Sequence, residues 1–484
     1  MQYSRNKIPG VVVAGLRGGS GKTIISLGIT AAWKHQNIRV SPFKKGPDYI
    51  DAGWLSKAAG RPCYNLDTYL CTQETVQNSY DLHSQESSLA VVEGNRGLYD
   101  GLDIDGSTST AELAKLLNLP ILLVLDCTKS TRTMAAILMG CIHFDPSIKI
   151  GGVILNRVAG KRHEKKVRDN IRHFCKVPIF GVVPKLKAKD FPERHMGLVT
   201  SEEHGFSEDA IDAARVIAEK YIDLDGLRAH VMDWEKEHPP IREMAVASEP
   251  CPACPEMEVP APVVPSPGET PLTIGIIRDS AFQFYYPDNI AALENLGARI
   301  VYLSPLSQDR IPEVHAIYMG GGFPETHAPQ LAANQAFRDN LQALAKKGLP
   351  IYAECGGLIF LGESIQLDDT VYPMSGILPI KFGLSKRPQG HGYTEVEVVQ
   401  DNPFYRKGEI LRGHEFRYSQ VLDIDYTDET MAFRMELGKG ILEKKDGLFK
   451  YNTFGTYTHI HALGSSSWAP SLVAKAEAFR AGQL

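Results

Sequence analysis

The feature that most constrains the fold is a series of short apolar, β-branched runs that recurs in both halves of the chain. Four runs lie in the first half, at residues 10–14, 88–92, 121–125 and 152–155. Four more lie in the second half, at residues 272–277, 299–303, 316–319 and 349–352. Runs with so little apolar–polar alternation are typical of strands buried on both faces of a parallel sheet. Helical stretches lie between the runs, so the pattern predicts two doubly wound α/β domains.

A proline-rich segment separates the two α/β stretches. At 484 residues the chain is too long for one ordinary hydrophobic core. Prolines between residues 236 and 271 recur too closely for a helix or a central strand, which predicts an extended linker. We therefore expect one domain at residues 1–235, with a mostly parallel sheet, and another at residues 272–484. After Ser375 the pattern alternates, which predicts an antiparallel extension of the second sheet.

Composition narrows the classes of function. The net charge of −5 provides no basic field for nucleic acid. No apolar run approaches the roughly 20 residues of a membrane helix, and the first residues lack the pattern of a signal peptide. The eight cysteines are too scattered for a disulfide framework, and we interpret Cys251 and Cys254 as an incidental pair in the linker. We expect a cytoplasmic protein with reduced thiols and with neither a nucleic-acid nor a membrane partner.

A glycine-rich loop follows the first apolar run and opens a helix. From Gly15 to Thr23 it reads GLRGGSGKT. Glycines let successive backbone N–H groups point at phosphate oxygens, and the helix N-terminus adds a favourable dipole. In such a loop Lys22 neutralises the β- and γ-phosphates, and the Thr23 hydroxyl binds Mg²⁺. The residues predicted to contact ATP are Gly18, Gly19, Ser20, Gly21, Lys22 and Thr23.

Carboxylates at the ends of neighbouring strands are the usual second part of such a site, because Mg²⁺ prefers oxygen ligands. Asp48 and Asp51 stand in a turn after the second predicted strand, and Asp100 lies in a glycine-containing loop. Glu93 and Asp126 each end an apolar run. The residues alone leave Glu93 and Asp126 as equal candidates for the metal ligand.

A cysteine on a predicted strand-to-helix turn is the second candidate catalytic feature. Cys355 follows an apolar run and precedes two glycines, which permit the strained backbone that exposes a nucleophile. The N–H of Gly356 is then free to bind an oxyanion, and Gly322, in a second glycine turn, is the other predicted donor. His459 and His461 lie far downstream and are the candidate bases for the thiol.

Several motifs occur in one order along the chain. They are the loop at residues 15–23, KGPDYID at residues 45–51, residues 92–101, PERHMGL at residues 192–198, GGGFPE at residues 320–325 and AECGG at residues 353–357. In this order they resemble the cobyrinic acid a,c-diamide synthase family over nearly the whole chain outside the linker. That family joins a dethiobiotin-synthetase-like ATPase domain to a class I, flavodoxin-like glutaminase domain.

The resemblance implies a glutamine-dependent ligase of cobalamin biosynthesis. In the family, ATP phosphorylates a corrin-ring carboxylate, and ammonia released at the cysteine displaces the phosphate, at the a and c positions in turn. The implied cofactor and cosubstrates are Mg²⁺, ATP and glutamine. The residues that match the magnesium site are Thr23, Asp48 and Glu93. The residues that match corrinoid-binding segments are Tyr49, Ile50 and Asp100, and those that match adenine-recognition positions are Asn156 and Pro184.

The chain departs from related motifs at two places. Cys355 matches the glutaminase nucleophile and His459 its activating histidine, but His461 stands where class I enzymes carry a glutamate. We therefore predict a Cys–His dyad in which His459 is a weaker base than in a triad. The phosphate loop is one residue longer than the standard form, and Arg17 stands where partition ATPases carry a lysine.

Two alternatives stay open from the sequence. The first is the same diamidation of nickel-sirohydrochlorin or hydrogenobyrinic acid, because these rings also present adjacent acetate groups. The second is a partition-type ATPase switch, which the loop from Arg17 to Thr23 favours, although a switch has no use for the Cys355 turn. We take a corrinoid as the expected substrate and a homodimer as the candidate oligomer.

Overall fold

The computed structural model describes residues 8–186, 207–237 and 271–484. The chain divides into two compact units, residues 1–255 and 256–484. Most of the predicted linker, with Cys251 and Cys254, lies outside the described residues, as does the motif at residues 192–198. Among the described residues, no helix is long and apolar enough to cross a membrane.

In the N-terminal unit, strands and helices alternate along the described chain. The strands are β1 (Gly10–Gly15), β2 (Val40–Lys45), β3 (Tyr64–Leu66), β4 (Leu89–Glu93), β5 (Ile121–Asp126), β6 (Ile150–Val158) and β7 (Ile179–Pro184). The helices are α1 (Lys22–His35), α2 (Tyr49–Ala59), α3 (Gln73–Ser84), α4 (Thr110–Leu116), α5 (Arg132–Phe144), α6 (Lys161–Phe174), α7 (Ser207–Tyr221) and α8 (Leu224–Glu237).

These strands form one parallel sheet in the order β3-β2-β4-β1-β5-β6-β7, which confirms the predicted parallel architecture. Every residue of the central strand β1 is buried. Val11 and Val13 share one hydrophobic cluster with Ile25 and Trp33 of α1. Full burial of such a side chain contributes about 1.5–3 kcal/mol. The glycine loop is therefore anchored at both ends, by a central strand and by a helix packed on it.

The C-terminal unit is richer in strands. The strands are β8 (Thr273–Ile277), β9 (Arg299–Leu303), β10 (Ala316–Met319), β11 (Ile351–Glu354), β12 (Ser364–Leu367), β13 (Thr370–Pro373), β14 (Ile380–Leu384), β15 (Gly390–Val398), β16 (Ile410–Arg417), β17 (Ser419–Ile424), β18 (Met431–Leu437), β19 (Lys445–Lys450), β20 (Thr453–Thr456) and β21 (His459–Ile460). The helices are α9 (Pro287–Asn295), α10 (Ala328–Ala333), α11 (Gln335–Lys346), α12 (Gly356–Leu361) and α13 (Trp468–Arg480). Two short 3₁₀ turns are Pro324–His327 and Asp428–Thr430.

The main sheet of this unit has the order β21-β16-β15-β18-β19-β20-β11-β10-β8-β9. Strands β9, β8, β10, β11 and β20 are parallel neighbours. From β20 outward the pairs are antiparallel, which confirms the predicted antiparallel extension. A smaller sheet has the order β13-β12-β14-β17.

An aromatic cluster supports the strands that carry the predicted thiol site. Tyr352 of β11 stacks on Phe454 of β20, with ring centroids 5.7 Å apart. Tyr318 of β10 meets Trp468 of α13 edge to face at 5.0 Å. Such pairs add about 0.5–1.5 kcal/mol beyond their buried area, and fully buried rings have little freedom to move. The ends of β10, β11 and β20 are therefore held in fixed relative positions.

Candidate catalytic sites

The phosphate loop takes its shape from glycine conformations and from a side chain on β6. Gly19 and Gly21 have φ values of 72° and 93°, which L side chains rarely adopt. Asn156 donates Nδ2–H to the Ser20 carbonyl at 2.9 Å. A Cβ atom on Gly21 would lie only 2.3 Å from Asn156 Nδ2. Gly21 thus meets a conformational and a steric requirement, and the predicted nucleotide residue Asn156 contacts the loop directly.

Lys22 is buried at the start of α1 and folds back over the loop. Its Nζ donates to the carbonyl oxygens of Arg17, at 3.1 Å, and of Arg96, at 2.7 Å. Burial lowers the pKa of the Lys22 ammonium, against the opposing effect of Glu93. Both acceptors are neutral carbonyls, so a phosphate oxygen would be a stronger, charge-assisted partner. The loop and this lysine together present the donors that a polyphosphate requires.

A buried charged cluster lies beside the loop, at the carboxyl ends of β2 and β4. We call it the acid–lysine cluster, and its members are Thr23, Lys44, Asp48, Asp51 and Glu93. Lys44 Nζ lies 2.6 Å from Asp51, 3.1 Å from Glu93 and 3.6 Å from Asp48. The Thr23 hydroxyl donates to Glu93 Oε1 at 2.7 Å. Three predicted metal-site residues are therefore neighbours, and Lys44 is a member that sequence reasoning missed. The available signal was a lysine at the end of a buried strand, just before two acids.

Burial and Lys44 set the charges in this cluster. Burial raises the pKa of Glu93 to about 7 and that of Asp48 to about 6, despite the nearby Lys44. For Asp51, the charge and hydrogen bond of Lys44 outweigh burial and lower the pKa. The same acids outweigh burial for Lys44 and raise its pKa well above the ordinary value. Lys44 thus stays charged and counteracts protonation of the carboxylates.

The residues of this cluster fit a hard divalent cation. Glu93 Oε2 is buried and has no hydrogen-bond partner among the described residues. The adjacent Thr23 hydroxyl and the half-buried Asp48 carboxylate offer further oxygen ligands. Within the described ranges, no group of three or more His, Cys, Asp or Glu side chains is arranged to hold a metal ion by itself. Mg²⁺ is bound through one or two carboxylates and takes its other ligands from waters and phosphates, so the Thr23, Asp48 and Glu93 oxygens suit such an ion.

Asp126, the other candidate metal ligand, forms ion pairs with two arginines. Its Oδ2 accepts from Arg157 at 2.9 Å and from Arg17 at 3.5 Å. Hydrogen bonds from Thr128 and Arg157 outweigh burial and lower the pKa of Asp126. Arg157 also donates to the Gly19 carbonyl at 2.9 Å. The geometry favours Glu93 over Asp126 as the metal ligand, and it gives Arg17 an ion-pair partner beside the loop.

The predicted corrinoid-binding and adenine-binding residues lie around the same end of the sheet. Asp100 accepts the Gly97 N–H at 2.9 Å, and a Cβ atom on Gly97 would lie 2.7 Å from the Leu16 carbonyl oxygen. Asp100 is therefore close to the phosphate loop. Tyr49 and Ile50 open α2, directly after Asp48 of the acid–lysine cluster. Pro184 ends β7, beside the end of β6 that carries Asn156.

In the C-terminal unit, Cys355 occupies a strained turn between β11 and α12. Its φ of 46° and ψ of −96° lie outside the usual regions for a residue with a side chain, at a cost of about 1–3 kcal/mol. A Cβ atom on Gly356 would lie 2.9 Å from the Gly322 nitrogen. The predicted elbow is present, and the two predicted oxyanion donors are adjacent to each other beside the thiol.

Sheet pairing brings His459 to this turn. Strand β20 lies beside β11, with Glu354 opposite Thr456, and His459 follows on β21. Asp446 accepts from the Thr456 hydroxyl at 2.7 Å and from the Thr458 N–H at 3.0 Å, which fixes the intervening turn. Sequence reasoning missed Asp446, because no local motif links it to the histidine. The Cys355 thiol and the His459 imidazole are both buried and interact electrostatically, while the thiol donates to the Phe416 carbonyl oxygen at 3.9 Å.

A carboxylate also faces the imidazole. Glu354 Oε2 lies 3.4 Å from His459 Nδ1, and Glu354 is fully buried. Although burial disfavours the imidazolium, interactions with Cys355 and Glu354 raise the pKa of His459 to about 10. Sequence reasoning assigned no chemistry to Glu354. The signal was a charged residue that ends an apolar strand immediately before the nucleophile.

His461 does not contribute to this group. Its Nε2 lies 3.5 Å from Asp288 Oδ2, and its ring packs on Tyr286 with centroids 4.4 Å apart. His414 stacks on His459 at 4.8 Å, and burial lowers its pKa well below the ordinary value. His414 is therefore a neutral neighbour of the His459 imidazole, whereas His461 belongs to a separate buried pair.

Comparisons with known proteins match both units of the chain. The CobQ/CobB/MinD/ParA nucleotide binding domain matches residues 11–199, and the CobB/CobQ-like glutamine amidotransferase domain matches residues 273–467. A cobyrinate a,c-diamide synthase from Magnetococcus marinus is 38% identical over 96% of this chain and 97% of its own length. The one from Archaeoglobus fulgidus is 37% identical over 97% of this chain and 98% of its own length. The one from Salmonella typhimurium is 35% identical over 93% of this chain and 94% of its own length. The chain belongs to the cobyrinate a,c-diamide synthase family.

Proposed function

We propose that this protein is a glutamine-hydrolysing, ATP-dependent ligase that converts the a- and c-acetate carboxylates of cobyrinic acid to amides in cobalamin biosynthesis. One observation carries the proposal. A single chain contains a phosphate loop beside buried acids and a strained cysteine that interacts electrostatically with a buried histidine. Relatives of nearly the same length, named cobyrinate a,c-diamide synthase, support the substrate.

The N-terminal unit activates the carboxylate. The backbone of Gly18–Gly21 and the Lys22 ammonium bind the ATP phosphates, while Asn156 and Pro184 contact adenine. Thr23, Asp48 and Glu93 hold Mg²⁺, which when bound neutralises charge on the phosphates. Carboxylate oxygen is a poor leaving group. Transfer of the γ-phosphoryl group to it releases ADP and gives an acyl phosphate, from which ammonia can displace phosphate.

Residues beside the loop also position the substrate. The Lys44 charge favours the ionised forms of Asp48 and Glu93, which metal binding requires. Tyr49, Ile50 and Asp100 place the corrinoid acetate near the γ-phosphate. An attacking carboxylate oxygen has to approach in line with the bond that breaks, so positioning supplies much of the rate.

The C-terminal unit supplies ammonia. His459 takes the thiol proton, and the Cys355 sulfur attacks the glutamine side-chain carbonyl. The N–H groups of Gly322 and Gly356 stabilise the resulting oxyanion. His459 returns the proton to the departing ammonia, and water then hydrolyses the thioester to release glutamate. Ammonia attacks the acyl phosphate and expels inorganic phosphate.

Product masses test the proposal directly. The protein is incubated with ATP, Mg²⁺ and glutamine, and separately with cobyrinic acid, hydrogenobyrinic acid and nickel-sirohydrochlorin. We expect cobyrinic acid to undergo two successive carboxylate-to-amide mass changes, faster than either other ring. Faster amidation of another ring would reassign the substrate, and amidation of none would contradict the ligase.

Three further parts of the proposal have separate tests. Chelation by EDTA should stop amidation, and added Mg²⁺ should restore it. Cell fractionation should place the protein in the cytoplasm.

Sedimentation velocity should give twice the chain mass of 53.3 kDa for a homodimer, and a single-chain mass would exclude that assembly under the conditions used.

A further inference from the structure

We propose that Glu354 is the positioning acid of the glutaminase site, so that Cys355, His459 and Glu354 act as a triad in place of the predicted dyad. The inference deepens the proposed glutaminase function and rests on it. Glu354 acts through His459, whereas Cys355 and His459 touch the substrate. Glu354 ends β11, the strand that leads into Cys355. Class I enzymes instead carry the acid at the position that His461 occupies here.

The kink at Cys355 explains how two successive residues reach one imidazole. In a regular strand, neighbouring side chains point to opposite faces. Cys355 has φ 46° and ψ −96°, so the strand alternation is broken between Glu354 and Cys355. Glu354 then lies 3.4 Å from His459 Nδ1, and the Cys355 side chain interacts electrostatically with the same ring. The strain that exposes the nucleophile therefore also brings the acid to the base.

The remaining contacts of Glu354 fix its orientation without neutralising it. Its Oε1 accepts the Ile460 N–H at 3.1 Å, so the acid is bound to the residue directly after the histidine. Its Oε2 accepts the Tyr318 hydroxyl at 3.3 Å, and Asn289 in turn donates to that hydroxyl at 3.2 Å. A fully buried carboxylate requires both hydrogen bonds and a compensating charge. His459, once protonated, provides that charge.

This placement selects the histidine form that glutamine hydrolysis needs. With Nδ1 facing a carboxylate, neutral His459 carries its proton on Nδ1 and leaves Nε2 to accept the thiol proton. The resulting imidazolium faces Glu354. The two nearby histidines do not replace this carboxylate, because His461 is paired with Asp288 and His414 is a neutral ring stacked on His459.

Glu354→Gln tests the assignment. The amide oxygen can keep the Ile460 contact, but the amide NH₂ would face Nδ1 and drive the proton to Nε2, where it blocks the thiol. In a serine protease triad the same kind of change lowers kcat about 10⁴-fold. We expect kcat for glutamine hydrolysis to fall at least about 100-fold, by the same reasoning. KM for glutamine should stay within about threefold, because uniform binding is untouched.

Matched measurements separate positioning from folding and from the ligase proposal. Tyr318→Phe removes another hydrogen bond to the same carboxylate and should lower kcat less than about tenfold. In the unsubstituted protein, ¹⁵N NMR at neutral pH should show His459 protonated on Nδ1, as the neutral base or as the imidazolium formed when it takes the thiol proton, identified by signals missing in His459→Gln. Nearly full glutaminase kcat in Glu354→Gln, or a neutral His459 with its proton on Nε2, would overturn the assignment. A protein that hydrolyses glutamine but amidates no corrinoid would contradict the ligase proposal alone.

Discussion

The buried charge of Lys44 influences the protonation of the carboxylates around it. Its ammonium is buried with three carboxylates within 3.6 Å, and the pKa of the lysine is raised despite the burial. Removing one partner of a buried ion pair leaves an uncompensated charge, which costs about 3–5 kcal/mol. At the scale of a residue, the magnesium site that we propose therefore depends on a side chain that is not one of its ligands.

Lys44→Met should destabilise the protein by about 3–5 kcal/mol at pH 8, as urea unfolding followed by tryptophan fluorescence would measure. The loss should shrink as the pH falls toward 5. Burial already raises the pKa of Glu93 to about 7 and of Asp48 to about 6 with Lys44 present. Without the lysine these acids protonate at still higher pH, and a protonated acid needs no counter-charge.

Lys115→Met is the matched control for that substitution. Lys115 lies 2.5 Å from Glu112 and 2.9 Å from Asp145, but it is partly exposed. Pairs in contact with solvent contribute about 0–1 kcal/mol. A similar loss for both variants, or a Lys44→Met loss that does not change with pH, would contradict the role given to burial.

At the scale of elements, the junction of β1, the phosphate loop and α1 is the most constrained segment of the N-terminal unit. The strand is fully buried, the helix packs on it, and the connection turns through Gly19 and Gly21 with positive φ values. Asn156 of β6 closes the loop from the side through its bond to Ser20. The loop conformation is thus imposed by elements on both sides before any nucleotide binds.

Two glycines of the phosphate loop, Gly18 and Gly21, should respond differently to substitution by alanine. Gly21→Ala places a side chain at φ 93°, with its Cβ 2.3 Å from Asn156 Nδ2. We expect a loss of at least about 1–2 kcal/mol in unfolding free energy from the backbone strain alone. Gly18→Ala meets nothing within 4 Å and should stay within about 0.5 kcal/mol. Equal losses in urea denaturation without nucleotide would contradict this account of the loop.

Local patterns were sufficient to predict these elements. The apolar run at residues 10–14 lies within β1, and the loop after it joins β1 to α1, as predicted. Both could be predicted because burial on both faces and glycine conformation depend on residues that are adjacent in the sequence. The antiparallel extension followed from alternation at β15 in the same way. The ion pairs of Lys44 and the contact between Glu354 and His459 could not be predicted. They depend on which strands pair and on the backbone kink at Cys355, and neither is a local property.

At the scale of the whole molecule, the function that we propose joins two reactions through one intermediate, ammonia. The proposal therefore predicts which activities fail together. Lys22→Ala should abolish amidation with glutamine and with ammonium salts alike, because the acyl phosphate precedes both nitrogen sources. Glutaminase activity measured without corrinoid should persist. Corrinoid amidation by Lys22→Ala at more than a few per cent of the normal rate would exclude the role of the loop.

The central claim is that carboxylate activation and nitrogen supply are separate chemistries, and the nitrogen source distinguishes them most directly. Amidation of cobyrinic acid by Cys355→Ala is followed by mass spectrometry, with glutamine in one series and ammonium chloride in another. We predict no amidation with glutamine, and a diamide with ammonium chloride at a rate within about twofold of the unsubstituted protein, because the thiol takes no part in acyl phosphate formation. Equal loss with both nitrogen sources, or unchanged amidation with glutamine, would contradict the account.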